Sequence, residues 1–246
     1  MISKRNLFPS LFTMLNLFFG YFSIINALQG KFVTASWMII IAAVWDAIDG
    51  KIARKTNSYS DFGIEFDSIA DVVSFGAAPS ILIYQVFFYK IAAPGIIFSF
   101  FPLLFGAIRL ARFNVNLESF EKENFSGLPI PSMAVTMSSY VIFNYDLWEG
   151  LRFAPILAPL VILLSILMVS NVEYENVPKL TFRENKKNSI QLAIMLLGMT
   201  VIFLFREKAI FPLILGFVLF GLFRSLVHHD KEDEEEEEIF DISIPD

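Results

Sequence analysis

Four aspartates form two pairs with helical spacing in the segment 45–80. Asp46 and Asp49 are three residues apart, and Asp67 and Asp71 are four residues apart. Either spacing places both members of a pair on one face of a helix. A turn around residues 55–61 brings the two helices back against each other. We therefore expect the four carboxylates to converge where the two helix ends meet.

Converging carboxylates need a neutralising partner, because they repel one another and lose hydration. Two of them at ~4 Å repel by about 4 kcal/mol if the effective dielectric constant is ~20. Lysine does not occur on the helical faces concerned, so a divalent cation is the simplest partner. Oxygen ligands without His or Cys favour Mg²⁺ or Mn²⁺, and we expect two ions.

The residues beside the aspartates suit a phosphate-bearing substrate. Gly50 and Ala53 are small and lie on the same helical face as the first pair, so a bulky substrate can approach the backbone. Arg54 offers a guanidinium that matches a phosphate. Gly63 lets the second helix of the pair begin close to the first. Together these residues suggest a site at which a diphosphate is cleaved.

The composition is that of an integral membrane protein. Of the 246 residues, 55% are hydrophobic, and the mean hydropathy is +0.59; soluble domains are less apolar. The absence of Cys excludes disulfides and thiolate metal sites. Because helices satisfy their backbone groups internally, we predict an all-α protein of eight spans. The predicted helices are 10–29, 32–54, 62–89, 93–115, 131–146, 152–171, 188–205 and 209–228.

The distribution of charged residues predicts how the chain is oriented in the membrane and divides it into a membrane domain and a tail. With a cytoplasmic N-terminus, eight spans place 14 of the 19 Lys and Arg residues on the cytoplasmic side. The acidic site would then face the cytoplasm. Segment 230–246 holds ten of the 25 acidic residues and one basic residue, so the rest of the chain carries a net charge of +3. We predict one catalytic membrane domain, 1–229, and a disordered cytoplasmic tail, 230–246.

The segment that carries the aspartates resembles the signature of the CDP-alcohol phosphatidyltransferase family, D-x2-D-G-x2-A-R-x8-G-x3-D-x3-D. Every position of that signature is filled, by Asp46, Asp49, Gly50, Ala53, Arg54, Gly63, Asp67 and Asp71. The resemblance implies a six-helix core, here with two further C-terminal helices, a homodimer and a polar cavity open to the cytoplasm. It also implies that all four aspartates bind metal, and that Asp71 is the base that activates the incoming alcohol.

Within that family the chain is similar to the membrane-spanning phosphatidylserine synthases over residues 9–179. Similar stretches are LFTMLNLFFG, DSIADVVSFGAAP, RLARFN, FSGLPIP and LMVSNVEYENVPK. This resemblance implies that CDP-diacylglycerol and serine are the substrates, in the cytoplasmic membrane of a prokaryote. It also makes Thr13 and Asn16 candidates for the cytidine side of the site. Ser10 departs from the pattern, since relatives commonly have Asn there.

Three basic residues are candidates for the part of the site that binds the acceptor alcohol. Arg109 and Arg112 are three residues apart on one helical face and suit the carboxylate of serine or a lipid phosphate. Their alternative role is anchoring at the cytoplasmic membrane surface by snorkelling. Lys179 is a third candidate, for which a plain interfacial role is the alternative.

Two other functions remain open at this point. One keeps the chemistry but uses another acceptor, such as glycerol phosphate or inositol phosphate, which would favour more clustered basic residues. The other is an ion-coupled transporter, which often shows paired broken helices; the acidic pairs here occur once, with no counterpart in segment 132–224. Membrane lipids and the two substrates are the expected partners, and no nucleic acid is expected.

Overall fold

The computed structural model describes the backbone of residues 7–56, 61–118, 127–172, 174 and 186–242, and these residues contain helices and no strands. Nine α-helices, a π-helical segment and a 3₁₀ turn are formed within these ranges. In order they are α1 (Leu7–Leu28), α2 (Phe32–Thr56), α3 (Asp61–Asp71), the π-helical segment (Val72–Ala77), α4 (Ala78–Val86), the 3₁₀ turn (Phe88–Ile91), α5 (Ala92–Glu118), α6 (Ile130–Trp148), α7 (Ala154–Val169), α8 (Lys186–Phe205) and α9 (Glu207–Ile242).

The helices confirm the predicted fold class, since the chain is an all-α integral membrane protein. Because α3, the π-helical segment and α4 run on as one stretch, the nine helices correspond to the eight that we predicted. Two shorter apolar helices are α7 and the main part of α8. Five stretches in the described part of the chain are long and apolar enough to cross a membrane, namely Leu11–Leu28, Phe32–Ile52, Phe62–Val86, Phe88–Val115 and Glu207–Ser225.

The bundle is organised around α1, α2 and the stretch from α3 to α4. Helix α1 packs along α2 and against α3 and α4, and α2 also packs against α6. On α2, the small and branched residues Ala35, Ile39 and Ala42 are fully buried in the core of the bundle. Small residues let helices approach closely in a membrane, where packing drives their association. The acidic segments at the ends of α2 and α3 are thereby fixed beside α1.

A close contact between α1 and the π-helical segment sets the spacing of the site. Ser74 lies directly against Gly20, and a Cβ at Gly20 would collide with the side chain and the backbone of Ser74. The hydroxyl of Ser74 donates to the backbone oxygen of Asn16 at 2.9 Å. π-Helical turns inside α-helices are frequent at functional sites, and this one directly follows Asp71.

A rigid connector leads into α6. Gly127 donates its N–H to the Val172 oxygen at 2.8 Å, and Leu128 donates to the Leu167 oxygen at 2.8 Å. Gly127 has a φ of 94°, which residues with a Cβ rarely adopt. Pro129 then caps α6 in an extended conformation. The first part of this connector lies outside the described residues.

We predict that Gly127→Ala destabilises the protein by about 1–3 kcal/mol, because the left-handed backbone is strained for alanine. A Cβ there would also lie 2.6 Å from the Met168 oxygen. Gly150→Ala is the matched control, since a Cβ at Gly150 meets no atom within 4 Å. Thermal unfolding of the purified variants in detergent checks the prediction, and equal midpoints for the two variants would contradict it.

The C-terminal helices attach to the core through α9. Tyr140 of α6 packs edge-on against Phe211 with ring centroids 5.1 Å apart, and Lys208 lies 3.6 Å from the Asp146 carboxylate. The segment after α7 also reaches α9, where the Tyr174 hydroxyl donates to the Val218 oxygen at 3.3 Å. Large apolar side chains of α8 and α9 point outward, as expected for surfaces in contact with lipid.

The acidic segment differs from our expectation over part of its length. We predicted disorder from residue 230 onward, but the backbone of residues 230–242 continues α9 as helix. Glutamate is a good helix former, and extending an existing helix avoids the cost of nucleation. These two effects oppose the like-charge repulsion on which the expectation rested. The division of the chain at residue 230 stays a prediction.

Candidate active site

Each pair of aspartates is presented by one helix, as the spacing predicted. Asp46 and Asp49 lie in the last three turns of α2, and Asp67 and Asp71 lie in the second half of α3. Asp71 is the last residue of α3 before the π-helical segment begins. Because α1 packs against both α2 and α3, the two acidic faces meet beside it.

Three of the four carboxylates converge closely. One oxygen each from Asp46, Asp67 and Asp71 lies within 4.8 Å of the other two, and such a group could hold a metal ion. Asp46 and Asp67 are half-buried, and Asp71 is buried. We expected all four to converge, but Asp49 is not part of this group of three. It remains close enough to interact electrostatically with Asp46 and Asp67.

Asp49 is turned towards α1, because the Thr13 hydroxyl donates to its Oδ2 atom. Its other oxygen, Oδ1, is buried and has no hydrogen-bond partner among the described residues, and the same is true of Oδ1 of Asp67. A buried carboxylate oxygen without a partner is costly. A divalent cation accepts carboxylate oxygens of this kind as ligands, so the residues present fit such an ion.

Helix α1 also holds Asp71. The Asn16 amide nitrogen donates to the Asp71 Oδ1 atom at 2.9 Å, and Asn16 is fully buried. Sequence reasoning missed these contacts of Thr13 and Asn16 and placed both residues on the cytidine side of the site. The spacing of Thr13 and Asn16 places both on one face of α1, but Ser23 and Asn26 have the same spacing on that helix, so the sequence did not single out the pair that contacts the acids. Their contact with cytidine stays a prediction.

The two arginines of α5 have different surroundings. Arg109 is half-buried and interacts electrostatically with Asp71, whereas Arg112 is exposed. Farther along α5, Asn114 donates to the Ser68 hydroxyl at 3.0 Å, which joins α5 to α3 beside the acids. Arg109 is therefore close enough to Asp71 for their charges to attract, which sequence reasoning did not anticipate.

The other predicted residues are only partly described. Gly50, Ala53 and Arg54 belong to the last two turns of α2, and Gly63 belongs to the first turn of α3. Small residues therefore lie on both of the helices that carry the aspartates. The side chains of Ala53 and Arg54 lie outside the described residues, as does Lys179.

Comparisons with known proteins agree with this site. Residues 6–172 match the model of the CDP-alcohol phosphatidyltransferase family. That range covers α1 to α7 and leaves α8 and α9 outside it. A CDP-diacylglycerol–serine O-phosphatidyltransferase of Helicobacter pylori is 36% identical over 227 residues, which is 92% of this chain and 93% of the relative.

Two further relatives match a smaller share of this chain. The enzyme of the same name from Bacillus subtilis is 34% identical over 175 residues, which is 71% of this chain and 93% of the relative. An archaetidylserine synthase of Methanothermobacter thermautotrophicus is 38% identical over 176 residues, which is 69% of this chain and 70% of the relative. With the complete aspartate signature at the meeting point of α2 and α3, the chain belongs to the CDP-alcohol phosphatidyltransferase family.

Proposed function

We propose that this protein transfers the phosphatidyl group of CDP-diacylglycerol to the hydroxyl of L-serine and releases CMP. The observation that carries the proposal is the convergence of Asp46, Asp67 and Asp71 within 4.8 Å, inside a complete family signature. Serine is the acceptor in the names of two relatives, and the alignments with these relatives cover nearly the whole chain.

Mg²⁺ or Mn²⁺ is the proposed cofactor, bound as two ions by Asp46, Asp49, Asp67 and Asp71. The donor set supports it, since the four side chains offer only oxygen atoms, and two of those atoms are buried with no hydrogen-bond partner in the described part of the chain. When bound, the ions would polarise the phosphoryl group linked to diacylglycerol and stabilise the charge that develops on CMP.

The protein's own residues supply positioning and a base. Asp71 accepts the proton of the serine hydroxyl while the bond from that oxygen to phosphorus forms and the bond to CMP breaks. Gly50, Ala53 and Gly63 leave room for the diphosphate beside the backbone, and Arg54 pairs with it. On α1, Thr13 and Asn16 donate hydrogen bonds to Asp49 and Asp71.

Arg109, Arg112 and Lys179 form the acceptor side of the proposal. A guanidinium matches the carboxylate of serine or a lipid phosphate through two parallel hydrogen bonds. Arg109 supports this assignment best, because its interaction with Asp71 places its charge next to the proposed base. The proposed enzyme is a homodimer in the cytoplasmic membrane of a prokaryote, with its site facing the cytoplasm, as the distribution of Lys and Arg favours.

A panel of acceptors tests the proposal. Purified protein is incubated with CDP-diacylglycerol, Mn²⁺ and either labelled serine, glycerol phosphate or inositol phosphate, and lipids and CMP are quantified. We expect labelled phosphatidylserine and an equal amount of CMP with serine, and at least 100-fold less CMP with the other acceptors; a site built for one polar acceptor discriminates strongly. A reaction omitting CDP-diacylglycerol is the control.

Two results would contradict the proposal in different ways. CMP release with glycerol phosphate or inositol phosphate, but not with serine, would keep the reaction type and overturn the acceptor. Absence of CMP release with every acceptor would overturn the transferase assignment and favour the ion-coupled transporter.

A further inference from the structure

We infer that one face of α1 orients the acidic ligands, with Thr13 and Asn16 as positioning residues for Asp49 and Asp71. This inference deepens the proposed function and rests on it for the roles of the two aspartates. It differs from the cytidine contact expected for Thr13 and Asn16 from sequence. Its basis is a set of hydrogen bonds that link α1 to both acid-bearing helices.

The two positioning residues share one buried face of α1. Thr13 and Asn16 are three residues apart, with 3% and 0% of their surfaces exposed. Thr13 donates to Asp49 of α2, and Asn16 donates to Asp71 of α3 at 2.9 Å. A single helical face therefore contacts one member of each acidic pair.

Each of these bonds selects an oxygen of its carboxylate. Thr13 donates to Oδ2 of Asp49 and leaves Oδ1 for a metal ion, since Oδ1 is buried and none of the residues described here bonds to it. The amide of Asn16 must present its nitrogen to Asp71, because its oxygen would repel a carboxylate. Residues that hydrogen-bond metal-binding carboxylates fix the direction in which the remaining oxygen points.

The π-helical segment that follows Asp71 in turn fixes the position of α1. Ser74, three residues after Asp71, donates to the backbone oxygen of Asn16 at 2.9 Å. Gly20, one turn after Asn16, provides the space that Ser74 fills. Asn16 is thus held through its backbone by the same stretch of chain whose carboxylate it orients. A shift of α1 along its axis would disturb both bonds at once.

Substitutions that remove each donor test the inference. Thr13→Val keeps the shape but lacks the hydroxyl, and Asn16→Leu keeps the approximate size but lacks the amide. We expect Thr13→Val to bind Mn²⁺ about 10-fold more weakly, as loss of such an orienting partner typically costs 10- to 100-fold. We expect Asn16→Leu to lower kcat by about 10- to 100-fold with the KM for CDP-diacylglycerol unchanged within about twofold.

Two control variants separate orientation from a merely structural effect. Thr13→Ser retains a hydroxyl and should keep Mn²⁺ affinity close to that of the wild type. Ser23→Ala removes another buried hydroxyl of α1, which donates to the Ala35 oxygen of α2 at 2.8 Å. Ser23 lies about 15 Å farther along the helix than Thr13. Its loss should therefore leave Mn²⁺ affinity unchanged.

Mn²⁺ binding is measured by electron paramagnetic resonance without any substrate, so this result does not depend on the acceptor alcohol. Wild-type Mn²⁺ affinity in Thr13→Val would overturn the inference. It would also be overturned by a raised KM for CDP-diacylglycerol with kcat preserved in Asn16→Leu, which is the result expected of a cytidine contact. If serine proves not to be the acceptor, the Mn²⁺ measurement remains decisive for the role of α1.

Discussion

Asp71→Asn is expected to remove turnover while CDP-diacylglycerol still binds. Asparagine matches aspartate in shape and can still accept one hydrogen bond, but it does not take up the serine proton. General-base catalysis contributes about 10²- to 10⁴-fold to a rate, so we expect CMP release to fall by at least that factor. Asp46, Asp49 and Asp67 remain in the variant, and substrate binding should persist because these three carboxylates are unchanged.

The measurement combines CMP release with equilibrium binding of CDP-diacylglycerol to the purified variant. Glu65→Gln is the matched control, because it is the same change of carboxylate to amide on α3, at an exposed position two residues before Asp67. Wild-type rates in Asp71→Asn would refute its role as the base. If the variant lost both turnover and binding of CDP-diacylglycerol, the main role of Asp71 would be that of a metal ligand.

Asp46→Asn is expected to have opposite effects on metal binding and on the stability of the metal-free protein. Asp46 is one of the three carboxylates that lie within 4.8 Å of one another. Its removal takes a charged ligand from the cation, so the Mn²⁺ concentration for half-maximal activity should rise at least about 10-fold, since ligand charge sets affinity. CDP-diacylglycerol binding that depends on the metal should be lost as well.

The same substitution relieves repulsion when the metal is absent. Two carboxylates at ~4 Å repel by about 4 kcal/mol at an effective dielectric constant of ~20, and Asp46 faces such neighbours in Asp67 and Asp71. In chelator, Asp46→Asn should therefore unfold at a higher temperature than the wild type. In Mn²⁺ this advantage of the variant should shrink or reverse, because the bound ion stabilises the wild type more than the variant, which binds it more weakly.

Thermal unfolding of both proteins in detergent, with chelator and with Mn²⁺, checks how the difference between their midpoints changes. Glu65→Gln again serves as the control and should respond to Mn²⁺ as the wild type does. A variant that Mn²⁺ stabilises as much as it stabilises the wild type would show that Asp46 does not bind the ion. A lower midpoint in chelator would show that Asp46 is held by other favourable contacts.

Features that depend on local spacing could be predicted from the sequence. The positions of the helices follow from apolar stretches of sufficient length, and the pairing of Asp46 with Asp49 and of Asp67 with Asp71 follows from helical periodicity. Because few residues separate the two pairs along the chain, they were expected to lie together. These steps need no knowledge of which other helix lies beside the acids.

Features that depend on the register between distant helices could not be predicted in the same way. The bond of Asn16 to Asp71 joins residues 55 positions apart, and no spacing rule connects them. The rotation of Asp49 towards Thr13 and the interaction of Arg109 with Asp71 have the same origin, since each depends on how far one helix is displaced along another. The continuation of α9 through residue 242 depended on a balance between helix propensity and charge repulsion.

Electron paramagnetic resonance of Mn²⁺ with the metal-free wild-type protein shows whether the acidic site holds a cation. We expect the protein to bind Mn²⁺, the spectrum of the bound ion to change when CDP-diacylglycerol is added, and both effects to be lost in Asp46→Asn. Binding no greater than that of empty detergent micelles, or an equal signal in Asp46→Asn, would contradict the account of a carboxylate site that holds a cation against a diphosphate.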